Sequence, residues 1–356
     1  MNESYFLSEV AKHQSYLYML SSGYVDELVA ALRKSLNPLL TELAEALSEL
    51  TEAEMSALAA NRYTTRNLKD VQSIYAKLSS AISENTAAIT GTALVGLAAY
   101  ESNYITSFFD DKTKLSPSKI VAAAKSRPID GNMVSEMVRT LSASIYNKFV
   151  RAVRKGVDEG KTSAQISKEL KGTKRLDHTD GLVEMSRKSI ATTVRTIRNH
   201  ISNEAYAAAW QEMGFTHEKF IATLDGRTTM LCASKDGTIY KADGGHPRPP
   251  LHYNCRSYLV GCDKDGDIDG ERPFVMSNKA VKNIPKDARD GLIGQVDANT
   301  TFEDWFKTTD AAFQRKYLGE TRYDLYRKNQ YTITEFVAPS GKLYTIDQLR
   351  KMDSSI

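Results

Sequence analysis

The stretch VDELVAALRKSLNPLLTELAEALSEL (residues 25–50) sets the fold class. Val25, Leu28, Leu32, Leu36, Leu40, Leu43, Leu47 and Leu50 recur at steps of three and four, the period of one helical face. Pro38 falls inside the stripe and is expected to kink the helix or split it in two, because proline has no N–H to give. Two more stripes follow, Leu68, Val71, Ile74, Leu78, Ile82 and then Ile89, Ala93, Leu97, Tyr100, Tyr104, Phe108. They predict helices packed on helices. No cluster of His, Cys or paired carboxylates shares a face with them, so residues 1–127 read as a helical arm without chemistry of its own.

Outward from that arm the pattern changes twice. Ser116-Pro117 opens a further helix, and Arg127-Pro128 with Asp130-Gly131-Asn132 marks a break read as a domain boundary. Residues 128–262 then form the predicted core. Met133, Met137, Leu141, Ile145, Phe149, Val153 and Val157 trace a long helix, and Thr162-Ser-Ala-Gln165 is a capping box for a short one closed by Gly172. Ile190 to Ala208 gives another helix, ending near Gly214, and short strands are expected at Lys219–Thr223 and Gly237–Tyr240. Residues 263–356 read as a helical C-terminal appendage. Thr301 caps a helix running from Phe302 to Tyr331, and a hairpin over Gln330–Tyr344 turns at Ser340-Gly341. The fold expected is α+β, predominantly α-helical, with long N-terminal helices and a small core with short strands.

Composition narrows the function classes. The 356 residues are 41% hydrophobic and 26% charged, values that exclude a wholly disordered or collagen-like chain. Three cysteines cannot build a disulfide framework, which points to a reducing compartment. The uncharged stretch Asn85–Tyr100 is shorter than the ~20 apolar residues of a membrane span, and the opening Met-Asn-Glu-Ser-Tyr-Phe is unlike a signal peptide. A soluble protein is expected. The net charge of +3 hides an asymmetry, with −6 over residues 1–60 and +7 over 148–200.

Chemistry-bearing residues concentrate between Thr223 and Cys262: Asp225-Gly-Arg227-Thr228, then Cys232, Asp236-Gly237, and Pro249-Pro250-Leu-His252-Tyr-Asn-Cys255-Arg256. In that order they resemble the phage Mu F-like minor head, or head-morphogenesis, proteins of tailed bacteriophages. Gly156–Leu170, Ile190–Trp210 and Phe302-Glu-Asp-Trp305 extend the resemblance to roughly residues 130–350. It implies a structural protein without enzymatic activity, inside the phage head near the portal, acting in head morphogenesis, DNA packaging or genome delivery. The partners it implies are the portal protein, packaged double-stranded DNA, and other internal head proteins or further copies of the chain.

Family members often carry two further cysteines that would complete a zinc site, and here Thr229 and Ser257 stand in their places. Cys232, His252 and Cys255 remain, and Cys262, His246 or Asp225 would have to supply the fourth ligand. Zinc is the cofactor so implied. Read alone, Cys232 with His252 also suggests a thiol nucleophile and base, the core of a rival reading as a metal-dependent or thiol enzyme, a nuclease or toxin-like effector. Asp225, Arg227, Thr228, Asp236 and Arg256 read as a turn-stabilising network, with Asp225 a candidate cap for the next helix.

Asp265, Asp267 and Asp269 alternate as in the first half of a calcium loop, but the position of the bidentate glutamate falls on Met276. In the basic stretch, Lys171, Lys174, Arg175, Arg187 and Lys188 are candidates for contact with DNA phosphates.

Overall fold

The computed structural model describes residues 6–91, 93–108, 115–328 and 331–352. The opening Met-Asn-Glu-Ser-Tyr, with Glu3 of the acidic count, and Gln330 at the start of the expected hairpin lie outside them. The protein is a predominantly helical α+β structure with two small three-stranded sheets. Its helices are α1 (Phe6–Ser48), α2 (Glu52–Ala59), α3 (Arg66–Ala87), α4 (Ala93–Ser107), α5 (Pro117–Ser126), α6 (Val134–Asp158), α7 (Ser163–Lys171), α8 (Leu182–Met185) and α9 (Arg187–Glu212), followed by α10 (Met230–Ala233), α11 (Phe302–Thr308), α12 (Ala311–Leu318), α13 (Glu320–Arg327) and α14 (Ile346–Met352). The strands are β1 (His217–Ile221), β2 (Leu224–Asp225), β3 (Ile239–Lys241), β4 (Tyr258–Cys262), β5 (Glu271–Val275) and β6 (Ile293–Asp297).

Helix α1 runs through Pro38 without splitting. Leu36 and Leu40 on either side of the proline are at most 1% exposed, as are Leu43 and Leu47. Packing of that face outweighs the one backbone hydrogen bond that proline removes.

Two compact units divide the chain. One takes Tyr18–Leu97 and Ala122–Arg198 and is helical. Helices α3 and α6 pack together there, with Leu68, Val71, Leu78, Ile145, Phe149 and Val153 buried. At Gly156 on α6 a Cβ would stand 2.6 Å from Ile166 Cγ1, so glycine permits the close approach of α7. Thr162 caps α7 with the predicted box, its hydroxyl accepting from Gln165 N while Gln165 Oε1 accepts from Thr162 N at 2.8 Å.

The other unit takes Met1–Leu17, Ala98–Val121 and Asn199–Ile356. One sheet has the order β3-β1-β4, antiparallel throughout, with Phe220 opposite Leu259 and His217 opposite Cys262. The second has the order β2-β5-β6, with β2 parallel to β5 and β5 antiparallel to β6. Its β5 and β6 lie in the segment expected to be helical. They escaped the sequence reading because β5 carries Pro273 and its burial does not alternate cleanly. The single helix expected from Phe302 is three short ones, broken at Asp310 and Gly319. The expected terminal hairpin is a tight turn with one bridge, Val337 to Leu343, next to a 3-10 turn at Thr334–Phe336. An aromatic core of Phe302, Trp305, Phe306, Phe313 and Phe336 holds these pieces against Met230 and Ala233 of α10.

Residues 6–17 of α1 belong structurally to this second unit. His13 and Glu101, 5% and 0% exposed, pair at 3.0 Å, and Glu101 also accepts from Ser202 Oγ at 2.8 Å. Tyr104 stacks on the His13 ring at 3.5 Å.

A candidate metal centre

The centre is built where β1, α10 and the turn before β4 meet. Asp225 ends β2 and turns the chain back on itself, its Oδ1 accepting from the backbone N–H groups of Arg227 and Thr228 at 2.9 and 3.0 Å. Gly226 makes room in this turn for Asn278, whose Oδ1 would lie 1.8 Å from a Cβ there. The Arg256 guanidinium grips both oxygens of Asp225 at 2.6 and 2.7 Å, and Arg227 adds a bond at 2.9 Å. Burial alone would raise this carboxyl, but the hydrogen bonds and charge of Arg256 and then Arg227 outweigh it, and Asp225 is held below the usual carboxylate range.

Asp225 is therefore the hub of the turn with Arg227, Thr228 and Arg256, as the sequence suggested. Two details differ. The cap of α10 is Thr229, whose hydroxyl accepts from Cys232 N, because Asp225 is spent on its own turn. Asp236 belongs to another network altogether, paired with Arg272 of β5.

Thr229, the cap of α10, and Cys232 within that helix face His252 and Cys255 on the turn before β4. Cys232 Sγ is 3.2 Å from His252 Nε2 and 3.6 Å from Cys255 Sγ. The three donor atoms lie within 4.8 Å of one another, and they are the group among the described residues that could hold a metal ion. Both cysteines are buried and His252 is half-buried. His252 Nδ1 donates to the Tyr253 carbonyl at 2.9 Å, which turns the lone pair of Nε2 toward the two sulfurs. The left-handed backbone at Asn254, φ 58°, helps return the chain so that His252 and Cys255 face one point.

The thiols behave as a pair. Burial raises Cys255, yet the hydrogen bond from Cys232 and the neighbouring His252 outweigh it and bring Cys255 well below the ordinary thiol value. Cys232 is pushed up, first by that same hydrogen bond to Cys255 and then by burial. The raised member of the pair is Cys232 and the lowered one Cys255, and both sulfurs are buried beside His252, within reach of a common ligand point.

None of the three expected fourth ligands joins the group. Cys262 lies at the far end of β4, about 3.3 Å per residue beyond Tyr258, and burial pushes its thiol up to about 11. His246 is paired with Glu218 at 2.9 Å, and Asp225 is held by its arginines. The side chain that reaches His252 instead is Thr229, with Oγ1 2.9 Å from Nε2. Ser257 sits beside Cys232. Thr229, read in the sequence only as a missing cysteine, is the contact the sequence reading overlooked. Tyr317 of α12 was also missed. Its hydroxyl, pushed up by burial and then by Cys232 and Asp225, stands behind the centre, and nothing in its local pattern signals that position.

The aspartates of the acidic loop are not in the donor group that the described residues bring together. Asp265, Asp267 and Asp269 are exposed and do not converge, and Asp263 Oδ1 accepts from the N–H groups of Asp265 and Gly266. A cation is already present in the form of Lys219, whose ammonium donates to the Gly266 carbonyl at 3.0 Å and to Asn299 Oδ1 at 2.8 Å. The five candidate phosphate contacts divide between side chains with partners and side chains left in solvent. Arg187 is ion-paired with Glu184 and Asp26, and Lys171 donates to Thr41 at 2.6 Å. Lys174, Arg175 and Lys188 are exposed. The first two ride on a loop closed by Asp180, which accepts from Thr173 N at 2.7 Å, and by His178 Nδ1, which donates to the Lys171 carbonyl at 3.1 Å.

Residues 147–260 match the family model described as Phage Mu protein F like protein. Over that segment, which ends within β4 and includes Cys232, His252 and Cys255, the chain is phage Mu F-like. The match suggests a protein related to the phage head. No curated protein and no solved structure matches the chain. Among the described residues no helix is long and apolar enough to cross a membrane.

Proposed function

We propose, for a chain that is phage Mu F-like over residues 147–260, a structural role as a minor head protein of a tailed phage. It acts inside the capsid near the portal, in head morphogenesis, DNA packaging or genome delivery, and not as an enzyme. The family match is the observation that carries this reading. Around Asp225 the carboxylate is held by Arg256 and Arg227 in a turn-stabilising network, a structural use of charged side chains. In this reading Cys232, His252 and Cys255 hold zinc as a structural clip, the metal's binding energy adding to the stability of the turn before β4. Lys174, Arg175 and Lys188 touch packaged double-stranded DNA through phosphates alone, and the portal protein, other internal head proteins or further copies of the chain are its protein partners.

The test is a protein inventory of purified virions. Detection at a fixed copy number is expected, and absence from virions of a phage that expresses the chain overturns the reading. The rival, a metal-dependent or thiol enzyme, requires turnover on DNA that is lost in Cys232→Ala or His252→Ala with folding intact.

A further inference from the structure

Three strong donors converge at the centre, whereas tetrahedral zinc takes four ligands. The hydroxyl next in reach, Thr229 Oγ1, is neutral and lies outside the thiolate, imidazole and carboxylate groups that hold zinc in proteins. On the same side opens the small cavity of about 10 Å³, lined by Thr229, Cys232 and His252 together with Arg227, Asn254 and Arg256. Its volume is that of about one water-sized particle, which matches the end of a small ligand at the metal's fourth place. Its charge is set by two guanidinium groups against the single carboxylate of Asp225. The Arg227 side chain is 33% exposed and gives only part of its donor set to Asp225. A small space with a net positive wall beside an incomplete ligand set favours an anion.

We infer that the Cys232–His252–Cys255 centre keeps its fourth coordination place open toward this cavity, and that the place takes a small monodentate anion from solvent, steadied by Arg227. The inference rests on the metal reading above. Thr229 is the residue that leaves the place open, and Arg227 is a positioning residue for the anion.

Cobalt(II) bound to the full chain in place of zinc is the probe, read by its visible spectrum, with azide as the titrant. Wild type is expected to show tetrahedral cobalt bands that shift saturably with azide and do not respond to the bulkier citrate. Thr229→Cys is expected to abolish the azide response and to raise the sulfur-to-cobalt charge-transfer intensity by about half, three thiolates standing in place of two. Arg227→Gln is expected to keep the bands and weaken azide binding several-fold, because Arg256 still holds Asp225 through two hydrogen bonds. A chain that binds no cobalt overturns the metal reading and the inference together. A chain that binds one cobalt with bands unmoved by azide overturns the open place alone. If Thr229→Cys does not fold, the wild-type and Arg227→Gln titrations decide the matter between them.

Discussion

Arg272 and Asp236 form a bidentate ion pair, both contacts at 3.0 Å, with side chains 3% and 0% exposed. Asp236 also accepts from the backbone N–H groups of Ala222 at 2.6 Å and Phe302 at 2.5 Å. Arg272 in turn donates to the carbonyls of Ala222 and Thr300. One buried pair thus ties the end of β1, the Asp236-Gly237 turn, β5 and the start of α11. Removing one partner strands the other charge without water, so Asp236→Ala should cost about 3–5 kcal/mol. Urea unfolding monitored by tryptophan fluorescence is a direct measure, and a loss below about 1 kcal/mol contradicts the assignment.

The His13–Glu101 pair makes the first turns of α1 structural. His13→Ala leaves a fully buried carboxylate with Ser202 as its remaining named partner, and a loss of about 3–5 kcal/mol is expected. Removing residues 1–17 should do at least as much harm, because Leu7 and Val10, both at 0% exposure, leave with them. Thermal unfolding of the truncated chain at an unchanged midpoint would show that α1 is a detachable arm after all.

Acid stability should report on Asp225. Its folded-state pKa lies below that of the unfolded chain, so its contribution is complete above the unfolded value of about 3.9 and is lost as pH falls through the folded one. Asp225→Asn should lower stability at pH 7 and flatten its decline as pH falls below about 4. Parallel stability–pH curves for wild type and variant would remove Asp225 from the linkage.

Lys219 should make the acidic loop indifferent to calcium. Millimolar Ca²⁺ is expected to leave the wild-type melting temperature unchanged. Lys219→Met should cost about 1–3 kcal/mol through the stranded Gly266 carbonyl and Asn299 side chain. A saturable calcium-induced rise in wild type would restore the calcium-loop reading.

DNA binding, if carried by the three exposed cations, should depend steeply on salt. Changing Lys174, Arg175 and Lys188 together to Ala should reduce the log–log salt slope by about 2.7, at about 0.9 per phosphate contact. Their exposure predicts little change in melting temperature. Equal slopes for variant and wild type on random duplex would leave these residues as solvated surface.

The helices were legible in the sequence because each long one carries its apolar face at a regular step, and because local caps such as Thr162 with Gln165 and Thr301 at α11 complete within four residues. The turn at Asp225 was legible for the same reason, its two backbone bonds lying within three residues of the carboxylate. What lay beyond local reach was decided by tertiary packing. The continuity of α1 through Pro38 depends on the leucine face being covered on both sides of it. The pairing of β2 with β5 joins residues some fifty positions apart, and a two-residue strand has no period to read. Asp236 chose Arg272 over Arg227 and Arg256, which are nearer in sequence, and Lys219 reached across to the Gly266 carbonyl within the acidic loop. The sequence by itself determined which side chains were able to bind a metal or an ion partner, since that is a property of each residue. Only the tertiary structure decided which of them meet, because a charge or a ligand pairs with whatever the fold brings within about 4 Å and not with its neighbours along the chain.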